Sequence, residues 1–247
     1  MRFSINSLVL ATLAASQALA ASIGHQHTVL HNHARKHDHA PIEKRDAAIS
    51  AADVSRLSAL GVLSTGVNSE TNNGAVWLGS DGQYKNEFTN NSGEDLILVI
   101  WGVAGSWINV IQPHITASIP AGQSIWVSFA DGASGAWSAI YSDTQLVNGQ
   151  ASNTWGEFTF GQWGVVNVSR EVNMSGHPLS IVGPSCVTDM NTCVFMCSSG
   201  NVCTFDYILV NCDNGSQPGA NYGYHEGAPS GGCGGMGSSA TLKTTFS

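Results

Sequence analysis

The sequence predicts an all-β chain, a β-sandwich with a small disulfide-rich loop region. From Tyr84 onward, short apolar or alternating runs recur between breaks that contain Gly, Pro or Asn, which is the punctuation of strands and turns. Aromatic and β-branched residues fill these runs. All six cysteines fall after residue 185, an even set that reads as a disulfide framework in an exported chain.

Residues 1–20 carry a basic start at Arg2, an apolar run from Leu8 to Leu13 and the small-residue ending Ala18-Leu19-Ala20. This is the pattern of a secretory signal peptide, too short for a membrane span. Residues 21–45 hold six of the nine histidines and end at Lys44-Arg45, a pair suited to dibasic processing. They read as a His-rich propeptide, which places the mature N-terminus at Asp46 or just beyond. The alternative reading of the tract, as a metal-binding segment, has the weaker support. A soluble product is expected outside the cell or in the cell wall.

Residues 46–83 are rich in Ala, Ser, Gly and Asn and read as a flexible, loosely attached N-terminal extension. Within it, Val54, Leu57 and Leu60 recur near helical spacing, so a short helix fits Ala47–Leu60, although Ile49 falls off the stripe. Residues 84–247 form the sandwich domain. Glu87–Asn91 leads into Leu96–Trp101, an apolar run of buried-strand length. His114–Ile119 and Ser124–Phe129 flank Pro120-Ala121-Gly122-Gln123, which has sound turn chemistry. Asp131–Tyr141 follows. Asn153–Gly176 then offers two facing strands across a Gly-Gln break. Pro178–Val182, Val202–Val210 and Thr241–Phe246 are further strands, and residues 213–239 read as Gly- and Ser-rich loop.

Composition excludes several classes. From Asp46 onward four basic residues stand against fifteen acidic ones, a net charge of −11 that repels phosphate backbones, so no nucleic acid partner is expected. No later segment has membrane-span length and apolarity, so no membrane partner is expected either. A catalytic serine reading fails for want of G-x-S-x-G and with only His114, His177 and His225 as bases. No P-loop or dinucleotide fingerprint occurs, and no cofactor is expected. Cys186, Cys193, Cys197, Cys203, Cys212 and Cys233 imply three bridges, with fifteen connectivities open, and no histidine lies among them at metal-ligand spacing.

Glu157 sits among apolar strand residues, where a buried carboxylate is costly, so it is expected to face solvent or a polar groove. A surface pairing with Lys85 or Arg170 is the bland alternative. Trp137, Trp155 and Trp163 are candidates for stacking on a ligand, against the plainer reading that they fill the core. Four N-x-[ST] sequons fall at Asn90, Asn167, Asn173 and Asn214, with Asn90 and Asn214 in loop composition.

The segments Glu157-Phe158-Thr159-Phe160-Gly161 and Asn167–Asn173 resemble two motifs of the thaumatin-like superfamily, a strand of type EFxxxxxG and a YDVSxVDGFN-type segment. Phe88–Trp101, FTNNSGEDLILVIW, is similar to the family's first hairpin, with Ser92 in place of a family cysteine. Asp131–Tyr141 resembles its GRxW segment, with Trp137 in place but neither arginine present. TWGEF and AW are shared with fungal secreted proteins of the allergen and candidate-effector type. The resemblance covers roughly residues 84–247 and implies an acidic groove. Glu157 is retained there, the first family Asp is Asn167, the second falls at Val172 with Glu171 beside it, and the arginine is missing. Since strand neighbours face opposite ways, Glu171 is expected to enter the groove only after a register shift. Asp206 and Glu226 are possible second acids.

Glycoside hydrolysis needs two carboxyl groups across a cleft, and Asn167 cannot serve as one. The expected function is therefore a secreted, non-catalytic cell-wall or host-interface protein that binds β-glucan or another carbohydrate through Glu157, Asn167, Glu171 and the three tryptophans. The alternatives are an endo-β-1,3-glucanase of thaumatin-like type and a protein-targeting effector or inhibitor. The expected partner is a cell-wall polysaccharide or a host surface protein, and the chain is expected to be a monomer.

Overall fold

The structure is a computed structural model and describes residues 48–247. The signal peptide over 1–20, the propeptide over 21–45 and the mature start at Asp46 lie outside the described residues. In chain order these hold α1 (Ala51–Leu60), β1 (Val76–Leu78), β2 (Tyr84–Asn90) and β3 (Leu96–Gly102), then a 3-10 turn (Val103–Gly105). Next come β4 (Ile115–Ile119), β5 (Ser124–Phe129), β6 (Ser134–Ile140), and the small hairpin of β7 (Leu146–Val147) and β8 (Gln150–Ala151). β9 (Trp155–Thr159), β10 (Val165–Ser169), β11 (Leu179–Val182), β12 (Val187–Thr188) and β13 (Val194–Cys197) follow. β14 (Tyr207–Val210), β15 (Ala220–His225), β16 (Ala228–Cys233) and β17 (Ala240–Phe246) complete the chain. No helix among the described residues is long and apolar enough to cross a membrane.

Two sheets carry the expected all-β fold. The smaller runs β1-β5-β2-β17-β11-β12; the larger runs β14-β13-β10-β9-β6-β3-β4, with β15 and β16 attached through β10. β2 alternates buried and part-exposed residues, the period-2 pattern of a strand with one face on the core. β17 pairs with it in parallel from Ala240 opposite Tyr84 to Phe246 opposite Asn90 and lies inside the smaller sheet, between β2 and β11. Between the sheets lies the main core, where Phe88 stacks on Phe246 and Trp137 meets Phe88 edge-on.

β3 explains why its sequence is an unbroken apolar run. Leu96, Leu98 and Ile100 enter the main core, while Ile97, Val99 and Trp101 point to the other face and join a second core. That second core is covered by Leu57 of α1, Val62, Ile108 and Trp155. A loosely attached extension over 46–83 is thus corrected for the described part: Leu57 is 1% exposed, and Arg56 donates to the carbonyls of Asp95 and Ile140. β1 also pairs with β5. The Ser50 hydroxyl caps the helix by accepting from the Asp53 N–H, so the helix begins at Ala51 and Ile49 packs on the core from outside it. An outer sheet face as apolar as that of β3 has to be covered, and the helix covers it.

Two further expectations change. The strand expected over Val202–Val210 shortens to Tyr207–Val210, since a Cys197–Cys203 bridge and a turn with Asp206 at φ 59° occupy its first half. The loop expected over 213–239 contains the β15–β16 hairpin. Its Gly content has a steric cause: a Cβ at Gly231 would overlap the Asn221 carbonyl, and one at Gly232 would overlap that of Val166. Both residues also hold φ near +140°. The remaining bridges are Cys186–Cys233 and Cys193–Cys212, and no cysteine is free.

Candidate functional site

The outer face of the larger sheet is only half covered. Along β9 the inward residue Phe158 joins the main core, while Trp155, Glu157 and Thr159 take the outer face. Along β10, Val166 and Val168 go inward, and Val165 and Asn167 go outward. β9 and β10 are antiparallel, with Glu157 directly opposite Asn167. Where α1 and Ile108 stop covering this face, a cleft of about 470 Å³ remains, within the range of small-ligand pockets. Val103 and Ser106 line it on one side, Pro229, Ser230 and Gly231 on another, and Phe195 and Tyr207 also contribute.

Glu171 lines the same cleft, which corrects the expected need for a register shift. It stands two residues past the end of β10, in a bend, so strand alternation no longer sets its side. Its neighbour Val172 packs against the second core instead. Two carboxyl groups therefore meet. Burial pushes the Glu157 carboxyl up to about 7, while hydrogen bonding from Ser169 and Asn167 works against the rise. Burial and then the Glu157 charge push Glu171 up to about 8, again with Ser169 opposing. Burial and both carboxyls also raise Tyr207.

Among the described residues no cation pairs with either carboxyl. Lys85 donates to the Ser80 carbonyl, and the Arg170 guanidinium donates to the carbonyls of Met190 and Met174, so neither meets Glu157 as the bland alternative requires. Asp206 and Glu226 are exposed at left-handed turn positions and do not line the cleft. Asn167 is 6% exposed, its amide nitrogen 3.4 Å from the Gly231 carbonyl and its oxygen without a hydrogen-bond partner.

The three tryptophans separate. Trp137 is fully buried in the main core, stacked on Phe158 at 5.2 Å, and is no part of the cleft. Trp155 borders the cleft but is 6% exposed, held edge-on to Trp101 with its N–H donated to the Ala151 carbonyl. Trp163 is 87% exposed on the turn between β9 and β10, outside the cleft lining. Trp107, half exposed directly after the cleft residue Ser106, carried no sequence signal to mark it.

The sequons also separate. Asn90 is fully buried and its amide donates to the carbonyls of Glu94 and Ile119, so it serves the turn and leaves a glycan no room. Asn173 donates to the Ser152 carbonyl in a second, smaller concavity beside His177 and Asp143. Asn214 alone of the four is exposed, on a turn. In the smaller concavity His177 and Asp143 hydrogen-bond at 2.9 Å.

Solved structures similar to the chain include two that match at low scores. The protein elicitor MoHrip2 from Magnaporthe oryzae is 11% identical, with 66% of this chain and 98% of that one covered and a TM-score of 0.35. The thaumatin-like xylanase inhibitor TLXI is 10% identical, with 65% and 97% covered and a TM-score of 0.33. No curated protein matches the chain. The family model of the Allergen Asp f 4-like domain matches residues 78–239, more than half of the chain, and the protein belongs to that family.

Proposed function

We propose that the protein is a secreted, non-catalytic polysaccharide-binding protein of a cell wall or host interface, with its ligand in the cleft between Glu157 and Glu171. The observation that carries this reading is the cleft lining: Asn167, an amide that cannot act as base or nucleophile, stands directly opposite Glu157, and hydroxyls from Ser106, Ser134, Thr159 and Ser230 surround them. Among the described residues no cation pairs with Glu157 or Glu171, and burial raises both carboxyls, to about 7 and about 8, which favours their neutral forms. Neutral carboxyls, hydroxyls and the Asn167 amide offer donors and acceptors to a polyhydroxyl chain. Three disulfides suit an oxidising, extracellular setting. β-Glucan is the ligand class the acidic groove suggests.

The test pairs two assays. Co-sedimentation with insoluble β-1,3-glucan should retain the protein, and reducing ends should not appear from laminarin. A second reading, endo-β-1,3-glucanase, is favoured by the meeting of Glu157 and Glu171 in one cleft. In it the coupled pair would share one proton at intermediate pH, and sugar release would peak between about pH 7 and 8. Release in that window overturns the non-catalytic reading. Neither retention nor release would leave a protein-targeting role.

A further inference from the structure

The cleft does not end at the carboxyls. Val103 and Ser106 line it, and the chain then runs straight into Trp107, Val110 and Ile111. Trp107 is 49% exposed, and Val103 and Val110 are more open still. The Trp107 carbonyl accepts from the N–H groups of both Val110 and Ile111, so a tight turn fixes the backbone that presents the indole. From Leu96 to Ala130 the chain contains no Asp, Glu, Lys or Arg. The exposed side chains of Val103, Trp107 and Val110 thus lie next in sequence to the cleft residue Ser106, with no charged residue in that stretch of chain.

We propose that Trp107 is an outer subsite of the cleft, on which the apolar C–H face of a pyranose ring stacks when the bound polysaccharide extends beyond the Glu157–Glu171 centre. The inference rests on the polysaccharide-binding reading. A pyranose is polar at its rim and apolar on its C–H faces, so a chain passing from the cleft needs first hydroxyl partners and then an apolar ring. The site provides them in that order: Glu157, Asn167 and Glu171 at the floor, Ser106 at the rim, Trp107 beyond it. The face of an indole is the electron-rich side, which attracts the weakly positive C–H groups of the sugar. The tryptophans in or beside the cleft floor cannot serve, because Trp101 and Trp155 are almost closed off by each other. A continuous polysaccharide is the occupant that uses both the polar floor and the adjoining apolar strip; a lipid surface would use only the strip.

The subsite makes affinity depend on chain length. Titration calorimetry with β-1,3-linked glucose oligomers should show a hexasaccharide binding more tightly than a disaccharide. Trp107→Ala should weaken the hexasaccharide by about tenfold, roughly the worth of one stacked ring, and leave the disaccharide unchanged. Trp107→Phe should restore most of the loss, and an unchanged melting temperature in both variants would exclude a folding effect. Hexasaccharide binding that Trp107→Ala does not weaken overturns the subsite while leaving polysaccharide binding intact. Equal loss for both lengths also overturns it, since the ring would then act on the cleft itself. Failure of both oligomers to bind wild-type protein overturns the underlying reading. Sedimentation with phosphatidylcholine vesicles that is abolished by Trp107→Ala would assign the strip to a lipid surface instead.

Discussion

Replacing Glu157 by Gln should change how stability depends on pH, and the direction follows from burial. The folded protein holds the Glu157 proton up to about pH 7 against an ordinary value of 4.5. Between those pH values the folded state binds more protons than the unfolded chain, so stability falls as pH rises. It is full below about pH 4.5 and lost through about pH 7, with Glu171 extending the loss toward about pH 8. The distance from 4.5 to about 7 is worth about 3 kcal/mol, and solvent in the cleft reduces that to about 2–3 kcal/mol. Glutamine keeps the shape and hydrogen-bonding capacity without the charge. Glu157→Gln should therefore match the wild type at about pH 4.5 and exceed it by about 2 kcal/mol at about pH 8. Urea unfolding across this range measures the difference. His114, whose half-buried imidazole is shifted down by desolvation, loses stability as pH falls, but it does so in both proteins and cancels. A wild-type slope that persists unchanged in Glu157→Gln would refute the assignment of a buried, raised carboxyl.

Three further outcomes follow from the packing. Leu57→Ala should cost about 2–5 kcal/mol in unfolding free energy, because it opens a cavity between α1 and β3; a cost below about 0.5 kcal/mol would mean that the helix is not docked. Gly156→Ala should destabilise by about 1–3 kcal/mol, since the added methyl would overlap the buried Trp137 indole nitrogen; unchanged unfolding would contradict that packing. When the chain is expressed through a eukaryotic secretory pathway, glycopeptide mapping should find glycan at Asn214 and none at Asn90, Asn167 or Asn173, and an occupied Asn90 would contradict the burial described.

The strands were legible where one face is wet. β2 alternates, so composition and period agree there, and Pro120-Ala121-Gly122-Gln123 marks the turn before β5. β17 was equally plain. The kinship with allergen-type proteins seen in TWGEF and AW accords with the family match. The β15–β16 hairpin was not legible, because glycines required by close backbone approach look the same in sequence as glycines of a loop. Nor could the tryptophans be sorted. Trp137 and Trp155 differ only in which side of the pleat they take, and that depends on what packs against the sheet. The place of Glu157 in a polar cleft was readable from its isolation among apolar residues. The place of Glu171 was not legible, because β10 ends at Ser169 and the alternation that orders strand residues does not reach it.

The cleft as the place of polysaccharide contact can be probed at the carboxyls themselves. Carbon-13 NMR of the glutamate side chains, recorded at about pH 5.5 during titration with a soluble β-1,3-glucan oligomer, resolves Glu157 and Glu171 from the rest. Saturable shifts should appear at these two carboxyl carbons and at the Asn167 amide, with His177 in the smaller concavity unmoved and no new reducing ends in the sample. Shifts confined to surfaces away from Glu157 and Glu171, or shortening of the oligomer as the titration proceeds, would contradict non-catalytic binding in this cleft.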